Sequence, residues 1–206
     1  MSRRMIAVAV GILFFVQMAT AIVGTMLIQA FVDGNPERAP LTIGVLLMMC
    51  SGIAVVGIGL LMYQVLKTVN QRVAFWYPVL RVIEFTVSTA CGVYLLIQLQ
   101  VVPNQLLWIY IPTGIGGLVL NYLLFVSRLV PRAIAVLGLV GYGLFTLAVP
   151  LDLLGVLNMN EGLGMVVLAP GFLFEFVVLP LWLLLKGFTT PSSVTEFKSP
   201  ALATAS

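Results

Sequence analysis

The sequence predicts an all-α membrane protein: a six-helix transmembrane bundle with short loops, both termini on the cytoplasmic side, and a polar C-terminal tail. Three observations predict it. Hydrophobic residues make up 61% of the 206 and charged residues only 8%, where soluble domains carry about 25% charged, so this inventory can face lipid but not water. The apolar residues come in six runs, each of about 20 residues or more, the length that crosses a hydrocarbon core at roughly 1.5 Å rise per residue. The basic residues of the connections segregate. With the N-terminus inside, Arg3, Arg4, Lys67, Arg72, Arg128, Arg132, Lys186 and Lys198 fall inside and only Arg38 outside, a positive-inside bias. Trp76 and Trp182 near the inner interface and Trp108 near the outer one agree with it.

The first run, Met5 to Val32, far exceeds the roughly 7–15 apolar residues of a cleaved signal peptide and reads as a retained span. Turn chemistry from Asp33 to Pro40 ends it. The second span runs from Leu41 to Leu66, the polar stretch Lys67 to Arg72 follows, and the third covers Val73 to Leu99. Gln100 to Gln105, with Pro103, turns the chain into the fourth span, Leu106 to Ser127. Arg128 to Arg132 leads to the fifth, Ala133 to Leu157, and the sixth is Leu163 to Leu185. The transmembrane domain is therefore residues 1–188. Residues 189–206, rich in Ser, Thr and Pro, bury too little apolar area to fold and form a disordered cytoplasmic tail.

Helices in lipid associate by close packing of small residues and by polar contacts. Ala135, Gly138, Gly141 and Ala148 share one face of the fifth span, Gly114 and Gly117 one face of the fourth, and Gly52, Ala54, Gly57 and Gly59 enrich the second. These read as packing surfaces; a phosphate loop needs a strand before its glycines.

Several function classes lose their support. Histidine is absent, which removes the commonest metal ligand and neutral-pH base, so no metal or cofactor is expected. Cys50 and Cys91 lie inside apolar runs and read as small buried residues, though a disulfide between neighbouring helices is open to them. No zinc-binding or Gly-x-Ser-x-Gly pattern identifies an enzyme. The pI near 9.1 comes from single basic residues between apolar runs, the pattern of membrane anchors and not of a nucleic-acid stripe.

What remains is charge at membrane depth. Arg81 and Glu84 lie in the third span and Glu175 in the sixth. At 1.5 Å per residue Arg81 is roughly 12 Å and Glu84 roughly 16 Å from the inner edge, and Glu175 about 18 Å from the outer end of its span. Each costs at least about 2.5–3.5 kcal/mol if left alone, so pairing is expected. The i,i+3 spacing puts Arg81 and Glu84 on one face, and Glu175 can approach from another helix. One guanidinium for two carboxyls means that one carboxyl keeps its proton or another donor helps. Tyr77 and Ser88 share the Arg81 face, Asn121 sits at matching depth on the fourth span, and Gln17 lies near mid-depth on the first. Together they outline a polar interior lined by the first, third, fourth and sixth spans. Arg128, Arg132, Lys186 and Trp182 read as interface anchors.

The runs Gly11-Ile12-Leu13, Ala54-Val55-Val56-Gly57-Ile58, Arg81-Val82-Ile83-Glu84, Ser127-Arg128-Leu129-Val130-Pro131-Arg132 and Trp182 through Lys186-Gly187-Phe188 carry a resemblance. The chain resembles the bacterial membrane proteins grouped as "domain of unknown function 4386". The resemblance implies a six-helix bacterial inner-membrane protein and singles out the same residues. It implies no reaction.

Two functions fit. In the first, the Arg81, Glu84 and Glu175 cluster serves a small-ligand or ion/proton binding or transport protein. In the second, the cluster only locks helix packing, and the chain is a structural subunit facing a membrane-protein partner or a second copy of itself. No inverted repeat of the kind many transporters use is evident.

Overall fold

The computed structural model describes residues 2–34, 37–159 and 162–189. Lys198, Glu161 and nearly all of the expected tail lie outside them. Within them the chain is helical, and six helices are long and apolar enough to cross a membrane: α1 Arg3–Val32, α2 Arg38–Leu66, α3 Gln71–Gln98, α4 Gln105–Ser127, α5 Arg132–Leu153 and α6 Leu163–Leu185. The protein is a multi-pass membrane protein.

Local chemistry sets the helix ends. The Ser2 hydroxyl accepts the Met5 N–H at 3.2 Å, and the Asn70 side chain accepts the Val73 N–H at 3.2 Å, satisfying donors that a first turn leaves orphaned. Two boundaries move from their expected places. Helix α2 begins at Arg38, because Pro40 in a first turn gives up only an N–H that has no partner there. Helix α5 stops at Leu153, where Asp152 turns its carboxylate onto the Met159 N–H at 2.8 Å and caps the connection instead.

Each helix packs on its neighbours in chain order, and α6 returns to α1, closing a ring. Bare backbones set how closely the helices approach. A Cβ on Gly24 would meet the Gly44 carbonyl oxygen at 2.9 Å, and one on Gly141 would meet the Gly171 N at 2.5 Å and the Pro170 carbonyl carbon at 2.9 Å. Gly141 belongs to the small-residue face expected on the fifth span, whereas the Gly24–Gly44 approach lies outside the expected faces.

The two ends of the ring differ. At the end that carries Ser2 and Lys186, one continuous core runs through Phe14, Met62, Tyr77, Leu124, Phe174 and Leu183. At the far end the core divides. Leu41, Val45 and Leu95 bind α2 to α3, while Leu107, Phe145, Val149 and Leu168 bind α4, α5 and α6. Helix α6 follows the same division: Leu179–Leu185 leans on α1, while Leu163–Leu173 packs on α5. A cavity of about 350 Å³ lies between the separated groups, walled on one side by α1, α2 and α3 and on the other by α4 and α5.

Beyond α6 the chain stays attached. Gly187 takes φ 75°, a left-handed conformation that suits glycine. Thr189 then donates its N–H to the Leu129 carbonyl at 2.8 Å and its hydroxyl to the Arg128 carbonyl at 2.5 Å.

Candidate functional site

Arg81 is the largest fully buried side chain among the described residues, with 2% of its surface exposed. Two bare backbones make room for it. A Cβ on Gly59 of α2 would touch the Arg81 stem at 3.3 Å, and one on Gly116 of α4 would stand 3.9 Å from its Nε. The guanidinium donates from Nη1 to Glu84 Oε2 at 2.7 Å. It also stands 5.2 Å from the centre of the Tyr77 ring, a cation–π distance. Arg81 Nε and the Tyr77 hydroxyl are buried without a hydrogen-bond partner among the described residues.

Glu175 faces the same interior from α6. Its segment, Phe174–Val178, is a π-helical turn in which the Leu179 N–H reaches back to the Phe174 carbonyl. Such single turns recur at functional sites. The extra residue breaks the regular phase of the helix. The expected alignment of Glu175 with Trp182 and Lys186 on one face assumes a straight 100° step and does not hold through it. The carboxylate accepts a hydrogen bond from the Tyr142 hydroxyl of α5 at 2.6 Å and one from the Gln17 amide of α1 at 3.3 Å. Gln17 is braced in turn, its carbonyl accepting the Ser51 hydroxyl of α2 at 3.2 Å. No ion pair joins Arg81 to Glu175 among the described residues, although the two lie within electrostatic reach.

The expected residues thus divide. Arg81, Glu84 and Tyr77 form one group on α3, and Glu175 and Gln17 form a second beside it. Asn121 is fully buried but turns elsewhere: its Nδ2 donates to the Gly117 carbonyl of its own helix at 2.8 Å, and its Oδ1 packs over bare Gly138 of α5. Ser88 lines the far-end cavity, together with Cys91 and Tyr110. It stands one helical turn beyond Glu84, so the cavity reaches down toward the charged group. Among the anchors, Arg128 and Lys186 are exposed, and Arg132 is exposed over the Phe125 ring at 5.5 Å. Trp182 instead packs on the core, with its indole N–H buried and unpartnered among the described residues. The cysteines are corrected as well: both thiols are free, Cys50 exposed and Cys91 half-buried in the wall of the far-end cavity, so neither is closed into the packed core.

Tyr142 is the residue the sequence reading missed, and with it the part played by α5. Its ring occupies the space that a Cβ on Gly117 would fill. The signal was present: Tyr142 is a polar aromatic on the fifth span beside Gly138 and Gly141, where small residues open room for a large neighbour. The interior is accordingly lined by α1, α3, α5 and α6, with α2 and α4 supplying bare backbone.

The family model described as "Domain of unknown function (DUF4386)" matches residues 92–187. That is the family the sequence resembles. The DUF4386 match covers just under half of the chain, from Gly92 in α3 through the end of α6, and so contains Tyr142, Glu175 and the Arg128 to Arg132 turn. Arg81, Glu84 and Gln17 precede it. No curated protein and no solved structure matches the chain. The family description names no activity, so chemistry must be argued from the geometry.

Proposed function

We propose that the protein binds or transports a small ligand, an ion or a proton through the Arg81, Glu84 and Glu175 cluster, in a cell membrane with both termini cytoplasmic. One observation carries the reading. The ion pair at membrane depth joins two residues of the same helix, so it cannot fix one helix against another. A packing lock of that kind needs charge paired across helices; here Glu175 is held across helices by two neutral donors, the Tyr142 hydroxyl and the Gln17 amide, and by no cation among the described residues. Intramembrane ionisable groups arranged in this way mark ligand or proton pathways. The cavity that descends between the separated helix groups toward Glu84 supplies a route from the far end, while the continuous core closes the other end.

The alternative is a structural or interaction subunit. The bonds from Gln17 and Tyr142 favour it, since they tie α1, α5 and α6 together at Glu175.

The test compares Glu84→Gln, Glu175→Gln and Arg81→Ala with the native protein by thermal stability in detergent, with and without a panel of metabolites and lipids. A compound that stabilises the native protein but none of the variants supports a site. Variants that all fold poorly, with no compound shifting any of them, support the lock. For orientation, a fluorescent reporter that folds only in the cytoplasm is expected to be active when fused after Gly187 and inactive when inserted after Asp33.

A further inference from the structure

The far-end cavity has a chemistry separate from the cluster beneath it. Its volume of about 350 Å³ falls within the roughly 300–1,000 Å³ range of small-molecule sites. Its wall is mainly apolar, with Met48, Met49, Leu95 and Leu107 prominent, and among the described residues Asp152 is the one charged side chain lining it, with no Lys or Arg. The Asp152 carboxylate is fixed at the rim, Oδ2 accepting the Met159 N–H at 2.8 Å, and no cation pairs with it among the described residues. Tyr110, within electrostatic reach of Asp152, is steadied by edge contact with Phe145 at 4.9 Å and belongs to the same wall.

The signs select a ligand. An anion entering here meets the Asp152 carboxylate, with no basic side chain among the described residues of the wall to receive it. Asp152 is half-buried at the rim, and an uncharged apolar molecule seated there strips its remaining water and supplies no counter-charge, which is a costly desolvation. A cation with a hydrocarbon body answers both needs: its charge rests on the carboxylate and near the Tyr110 ring, and its body covers the Met and Leu wall. We propose that this cavity is a binding site for organic ammonium ions of moderate size, with Asp152 as the counter-ion. The site uses neither Arg81 nor Glu175, and a null result for it leaves the cluster reading untouched.

The experiment is isothermal titration of the full chain in nonionic detergent with benzyltriethylammonium, with benzoate and benzyl alcohol as probes of the same ring and different charge. The ammonium is expected to bind one to one, more weakly as salt is raised, while benzoate gives no specific heat and benzyl alcohol only micelle partitioning. Asp152→Asn keeps an acceptor for the Met159 N–H, and is expected to weaken ammonium binding by at least about tenfold, as loss of a desolvated charge partner does. Ser88→Phe, which fills the deep end of the cavity, is expected to weaken it as well. Absence of ammonium binding to the native protein, or equal binding of benzoate, overturns the proposal. So does unchanged affinity in Asp152→Asn; if that variant does not fold, unchanged affinity in Ser88→Phe decides against it.

Discussion

Tyr142 and Gln17 hold the same carboxylate with unequal grip, and the difference is measurable. Polar contacts between membrane helices average about 0.6 kcal/mol and reach about 1.7 kcal/mol, because the unfolded state in lipid also finds partners. The 2.6 Å bond from Tyr142 to Glu175 belongs at the upper end and the 3.3 Å bond from Gln17 near the mean. Tyr142→Phe is therefore expected to lower unfolding free energy by about 1.5 kcal/mol and Gln17→Leu by about 0.5 kcal/mol, measured by denaturant titration in micelles. Equal losses would contradict the geometry. The sequence revealed Arg81 and Glu84 fully, since i,i+3 neighbours meet on any helix. Glu175 was legible as a buried charge but its partners were not. They sit on α1 and α5, and no spacing within one helix reports which faces of distant helices meet.

At the level of the helix, two features control how α6 presents Glu175: the close approach of α5 and the π turn. Gly141 and Gly143 lie two positions apart on α5 with opposite surroundings. A Cβ at Gly141 meets the backbone of Gly171 and Pro170, which cannot yield, while one at Gly143 meets nothing within 4 Å. Gly141→Ala is expected to cost about 1–3 kcal/mol, as overpacking does, and Gly143→Ala to be neutral or mildly stabilising through helix propensity; both are read from the same unfolding titration. Deleting Val177 removes the additional residue of the π turn and restores a regular helix, rotating Glu175 relative to Leu179–Leu185. A double-mutant cycle checks the turn's role: in the deletion background Tyr142→Phe is expected to have no further effect. Run length and turn chemistry placed the six spans within a few residues. The π turn left no such mark, because a one-residue insertion changes neither composition nor length noticeably.

At the scale of the whole molecule, the ring is united at one end and divided at the other. The α1–α3 group and the α4–α6 group each own a small far-end core, and the α3–α4 connection is the single covalent link between them. Chains cut after Gln100 and coexpressed as two fragments are therefore expected to reassemble through the shared core at the terminal end, measured by co-purification on a tag carried by one fragment. Failure of the fragments to associate would argue that the connection itself, and not the packing, holds the halves. Sequence reasoning reached the number of spans, since hydropathy reports it. It could not reach the divided core. Which apolar residues face inward in a uniformly apolar helix leaves no periodic trace when lipid and core select the same residue types.

The short stretch after α6 joins parts that the bilayer keeps separate. Thr189 reaches the carbonyls of Arg128 and Leu129 in the α4–α5 turn, so the last described residues form a strap across the underside of the bundle. Trimming the chain back to Lys186 removes nothing from the membrane, yet it unfastens the sixth helix from the turn that introduces the fifth.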